Sequence, residues 1–165
     1  MAEVFSNDDL TGIFSAKFGQ AVLVSKITNK VNLVEKGDNY CSSTQRFSVE
    51  YQLDGKHKAA HLFAKFPPTI ESNQAYVSTY KIFERETMVY NSLLPEMCRI
   101  AEEHGVPKKL RPPYPEVYFA QGSENKLQTI VLEDLTLDGY KLGNRAEGVE
   151  WEEAELVIKA IARYR

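Results

Sequence analysis

The sequence predicts an α+β domain with a sheet of about five antiparallel strands and one long helix inserted between the third and fourth. Three observations predict it. Residues 44–53 and 58–66 alternate apolar with polar side chains at a period of two. Residues 75–94 change to a 3.6-residue period, and Gly, Pro, Asp and Asn punctuate the joins. A chain of 165 residues, 43% hydrophobic and 26% charged, is also large enough to bury one globular core.

Residues 7–18 (NDDLTGIFSAKF) predict a short helix, because Leu10, Ile13, Phe14 and Phe18 recur at helical spacing and Asn7 or Asp8 can cap it. Residues 21–37 are rich in Val and Ile and predict the first strand, stopped by the turn chemistry of Gly37, Asp38 and Asn39. The second strand is TQRFSVEYQL, with Phe47, Val49 and Tyr51 inward, and Asp54-Gly55 closes a hairpin into KAAHLFAKF, halted by Pro67-Pro68. In the long helix, Tyr76, Phe83, Tyr90 and Leu93 form one apolar stripe expected in the core, and Pro95 ends or kinks it after Leu94. A shorter helix, EMCRIAEEH, runs to Gly105; VPKKLRPPYP is a stiff connection to the strands EVYFA and LQTIVLEDL. Residues 136–150 are polar and glycine-bearing, as a linker between lobes would be. The helix of residues 150–165 places Trp151, Ala154, Val157 or Ile158, and Ile161 on one face.

Several function classes are excluded at this point. Twenty Lys and Arg against 23 Asp and Glu give a net charge of −3, not the basic field that nucleic acid or an anionic membrane requires. The opening MAEVFSNDDL lacks the positive and apolar regions of a signal peptide, and no apolar run approaches the roughly 18 residues of a membrane span. Cys41 and Cys98 are too few for a disulfide scaffold and lack zinc spacing, so a cytoplasmic location is expected.

Two charges stand where the patterns call for apolar residues. Strand alternation puts His61, Phe63 and Lys65 on one face and Leu62, Ala64 and Phe66 on the other. On the helix, Glu86 lies three residues after Phe83 and four before Tyr90, inside the apolar stripe, whereas Glu84 and Arg85 fall outside it. Each charge alone would cost several kcal/mol in a place of low dielectric, so Lys65 and Glu86 are expected to meet. A strand lysine paired to a glutamate on the following helix is how protein kinases hold the α- and β-phosphates of ATP. The turn GDNYCSS offers Gly37, Asp38, Asn39, Ser42 and Ser43 as a phosphate cradle, although it is not a GxGxxG loop. The end of IVLEDL, Glu133 to Leu135, is where a hinge pairing with an adenine edge would lie, with apolar neighbours such as Phe63 against the ring.

The ordered set GDNYCSS, LFAKFPP, FERETMVYNSLLP and VLEDL, with a following GY and NRAEGV, resembles the N-terminal half of the ecdysteroid-kinase-like proteins of insects. These form a branch of the aminoglycoside-phosphotransferase and choline-kinase superfamily, whose fold is protein-kinase-like. The resemblance implies an ATP-binding N-lobe over residues 1–135, a hinge over 136–150, and the first helix of an incomplete C-lobe over 151–165. It also implies Mg²⁺ as cofactor and a steroid-like or other small alcohol as substrate. Lys65 would contact phosphate, Glu86 would orient it, and Glu133, Asp134 and Leu135 would form the hinge.

The chain departs from the family where chemistry needs a base and a metal. Its three histidines stand in HKA, HLF and HGV, none an HxD motif, and the only Asp after VLEDL is Asp138. Residues 1–165 are therefore expected to bind nucleotide weakly or undetectably, to lack metal ligands and to be inactive alone, as the front of a longer protein. The alternative is a non-catalytic truncated module that works as an interaction domain through the apolar face around Trp151 and Ile158.

Overall fold

A computed structural model describes residues 5–33, 41–123, 125–143 and 147–164. Five antiparallel strands form one sheet: β1 (Leu23–Asn32), β2 (Ser43–Leu53), β3 (Lys56–Phe66), β4 (Val117–Gln121) and β5 (Thr129–Glu133). Their order in space is β1-β2-β3-β5-β4. The β2–β3 hairpin turns on Asp54 and Gly55, both with positive φ (54° and 70°), the pairing that a tight two-residue connection requires. Gly37, Asp38 and Asn39 lie outside the described residues.

Helix α1 (Asn7–Phe18) covers one face of the sheet. Its cap is Ser6, not the expected Asn7 or Asp8, because Ser6 and Asp9 satisfy each other's backbone N–H groups in a capping box. Leu10 and Phe14 are fully buried against Phe47, Val49, Tyr51, Leu62, Ala64 and Val131, the inward set of the alternation. The Phe14 ring meets Tyr51 edge-on at 4.8 Å and Tyr118 at 5.2 Å.

The expected single helix over 75–94 is three segments: α2 (Glu71–Thr79), α3 (Ile82–Met88) and a π-helical turn over Val89–Leu93 that leads into α4 (Leu94–Glu103). Lys81, at φ 50°, breaks the helix between α2 and α3 and resets its phase. The predicted stripe is corrected on both sides of Phe83, which is fully buried: Tyr76, before the break at Lys81, is 53% exposed, and Leu93, in the π-helical turn, is 48% exposed. Pro95 does not end the helix. It sits in the first turn of α4, where its missing N–H costs nothing, and the π turn has Leu94 donate to the Val89 carbonyl. Gly105 closes α4 in the left-handed conformation, at φ 71°.

The chain divides into two compact units, residues 1–87 with 116–134 and residues 88–115 with 135–165. The first holds the sheet, α1, α2 and α3. The second holds α4, a 3₁₀ turn over Leu135–Asp138 and α5 (Trp151–Ile161), which Glu150 caps through a reciprocal pair with Glu153. Within it Arg111 bonds to the Val106 carbonyl and pairs with Glu102, and Tyr164 donates to the Pro113 carbonyl. Among the described residues no helix is long and apolar enough to cross a membrane.

Candidate functional site

The face of the sheet opposite α1 carries the site. Alternation along β3 sends His61, Phe63 and Lys65 to this face, and cross-strand register sets Thr44 and Arg46 of β2 and Ile130 and Leu132 of β5 beside them. Ile130 is fully buried, and Leu132 and Thr44 are buried too. Helix α3 approaches this face and presents Glu86.

Lys65 Nζ donates to Glu86 Oε2 at 2.6 Å, and both side chains are about a quarter exposed, 23% and 26%. The expected meeting of ammonium and carboxylate is therefore present in the structure. Half-burial matters to what the pair can do. A fully exposed pair of this kind would be worth under about 1 kcal/mol, whereas a partly desolvated one keeps its charges fixed while leaving the ammonium reachable by a third, anionic group.

What sets α3 against the sheet is a glycine. Gly122, buried in the connection from β4 to β5, lies so close to α3 that a Cβ there would stand 2.3 Å from Thr87 Oγ1, 2.6 Å from the Phe83 carbonyl and 2.7 Å from Glu84 Cα. Its carbonyl accepts from Gln128 Nε2 at 2.7 Å, which holds the connection in place. Glu84 is a correction: expected on the outer side, it has one carboxylate oxygen buried without a hydrogen-bond partner among the described residues, while Arg85 is exposed.

The residues expected to form a hinge begin at the last residue of β5, Glu133. Glu133 and Asp134 donate their backbone N–H groups to the Glu116 and His61 carbonyls, each at 2.9 Å, so both donors are already engaged in extending the sheet. Glu133 also accepts the Glu116 N–H at its carboxylate. Leu135 opens the 3₁₀ turn of the second unit. Ser43 begins β2, half-buried, and Ser42 before it is buried. Phe63 is half-buried on the site face, two residues before Lys65.

One residue of this face was missed in the sequence: Arg46, paired in register with Phe63, forms an ion pair with Asp134 at 3.3 Å. Its signal was available, since Phe47, Val49 and Tyr51 facing the core oblige Arg46 to face away from it. At the other edge Lys17 of α1 pairs with Glu116 at 3.0 Å and lies 5.6 Å from the Tyr118 ring centre. Burial, then the charge of Glu116, pushes the Tyr118 hydroxyl well above the ordinary tyrosine range.

The ecdysteroid kinase-like family model matches residues 36–165, a span that includes β2 to β5, Lys65 and Glu86. The chain belongs to this family. Comparison with curated proteins returns no match, and comparison with solved structures returns none. Membership makes the chain kinase-like, of a family of small-molecule phosphotransferases that in general use ATP and Mg²⁺. The donor set on the site face fits the nucleotide, because a half-buried ammonium is held there by a single carboxylate. It does not fit the metal: among the described residues no three or more His, Cys, Asp or Glu side chains group closely enough to hold an ion.

Proposed function

We propose that residues 1–135 are the ATP-binding lobe of a small-molecule kinase, and that Lys65 is its phosphate contact. The observation that supports this most is the 2.6 Å Lys65–Glu86 pair on the face of the sheet opposite α1, bridging a strand and a helix where an apolar contact would have packed more cheaply. Glu86 holds the ammonium in one place, so that a phosphate entering beside it meets a preorganised cation. Phe63, half-buried on the same face, offers the base an apolar surface; Glu133 to Leu135 act as hinge, and residues 37–39 with Ser42 and Ser43 as the phosphate turn. Bound ATP supplies the transferable phosphoryl group, and the acceptor is a hydroxyl of a steroid-like or other small alcohol. Residues 136–150 and 151–165 are the hinge segment and the start of a second lobe.

The test is a titration of the ¹⁵N-labelled chain with ATP at concentrations on the order of millimolar, where weak binding still registers. Saturable shifts at the amides of Phe63, Lys65 and the start of β2 are expected; an unperturbed site face would end this reading. The alternative, an interaction module without nucleotide, draws on the face of α5, where Trp151, Val157, Ile158 and Ile161 are all more than half exposed. A chain that binds no nucleotide yet associates through Trp151 would favour it.

A further inference from the structure

We infer that Arg46 is a base-stacking residue of the site, with Asp134 as the positioning residue that holds its guanidinium flat over β3; this rests on the nucleotide reading above. The path of the side chain carries the inference. Arg46 starts on β2 opposite Phe63, Phe63 is opposite Leu132 of β5, and Asp134 lies two residues beyond Leu132. To meet Asp134 at 3.3 Å, Arg46 must cross β3 diagonally. The backbones it links are about 10 Å apart across two strand spacings and roughly 7 Å apart along the strands. The guanidinium therefore lies above β3 on the site face, between the levels of Phe63 and His61, two to four residues from Lys65 along the strand.

The chemistry of the crossing is unusual for a structural ion pair. Arg46 Nε is shielded from solvent and has no hydrogen-bond partner among the described residues, because its contact with Asp134 Oδ2 lacks hydrogen-bond alignment. A buried donor without a partner is costly, and a Val or Leu at this position would have packed against Phe63 and buried Leu132 without that cost. What the guanidinium offers in return is a flat cation, its side chain about a third exposed, suited to stacking on a purine. The Asp134 backbone N–H is bound to the His61 carbonyl, so the carboxylate that steers Arg46 is anchored to the sheet. Base and phosphate would then be held by separate cations on one face, Arg46 and Lys65.

The experiment separates the two ends of the nucleotide. The ¹⁵N-labelled chain, wild type and with Arg46→Lys or Asp134→Asn, is titrated with adenosine and, separately, with inorganic tripolyphosphate, after thermal unfolding shows each variant folded. Arg46→Lys keeps the charge and loses the plane; it should weaken adenosine about two- to thirtyfold and leave tripolyphosphate within twofold. Asp134→Asn should weaken adenosine in the same direction with Arg46 unchanged. Equal adenosine affinity in both variants and wild type overturns the assignment, as does a wild type that binds tripolyphosphate but not adenosine. If neither ligand shifts any amide of the wild type, the nucleotide reading fails and this inference fails with it.

Discussion

Replacing Gly122 by Ala tests how the site is assembled. The added methyl group would lie 2.3–2.7 Å from Thr87 Oγ1, the Phe83 carbonyl and Glu84 Cα, which is roughly 0.8–1.2 Å inside an ordinary contact of about 3.5 Å. Two of those atoms are helix backbone and cannot rotate aside. The third is fixed as well, since Thr87 Oγ1 donates to the Phe83 and Glu84 carbonyls at 2.8 and 3.1 Å. Either α3 or the β4–β5 connection must therefore move, at a cost of about 1–3 kcal/mol for overpacking. For a chain of this size that corresponds to about 2–12 °C in Tm. Because Glu86 follows Glu84 by two residues in the same helix, the shift should also lengthen its 2.6 Å contact with Lys65. Urea unfolding followed by circular dichroism measures the first effect, and ¹⁵N spectra of the lysine ammonium the second. Unfolding within about 0.5 kcal/mol of wild type, with the Lys65 signal unmoved, would show that the close approach at Gly122 does not set the position of α3.

Two further outcomes follow from local chemistry. Ser6→Ala removes the α1 cap and should cost about 1 kcal/mol at neutral pH. The Ser6 side-chain and backbone hydrogen bonds hold Asp9 below the ordinary carboxylate value of 3.8, so this stabilisation is present above that value and is lost as pH falls through the lower folded value. The difference between variant and wild type should therefore shrink in acid; a difference of unchanged size at pH 2 would contradict the account. Lys81→Gly relieves a left-handed backbone at φ 50° and should raise stability by about 0.5–1 kcal/mol in urea titration, whereas a loss would show that Lys81 is held there by contacts of its own.

The sheet was legible because its signals are local. Asp54-Gly55 defines the hairpin, and once its register is set the period of two assigns every side chain of β2 and β3 to a face. Lys65 and Glu86 were legible for the same reason, as charges interrupting two apolar patterns that the fold brings together. Tyr76 was misplaced because a helical period was carried through Lys81, and a single positive-φ residue there rotates everything before it. The face of Arg46 follows from the same alternation, but its partner Asp134 is 88 positions away at a strand end, and no local pattern relates them. Gly122 likewise reads as an ordinary turn glycine until α3 is seen against it. Tertiary approaches of this kind have no periodicity to read.

We propose that the Lys65 ammonium, held by Glu86, receives the phosphates of a nucleotide. Affinities of adenosine, ADP and ATP for the wild-type chain and for Lys65→Met measure it most directly. ATP and ADP should weaken by at least about tenfold in the variant, as expected for losing a charge-assisted contact, while adenosine is unchanged. A variant that binds all three ligands as the wild type does would contradict the account and leave Lys65–Glu86 a structural ion pair.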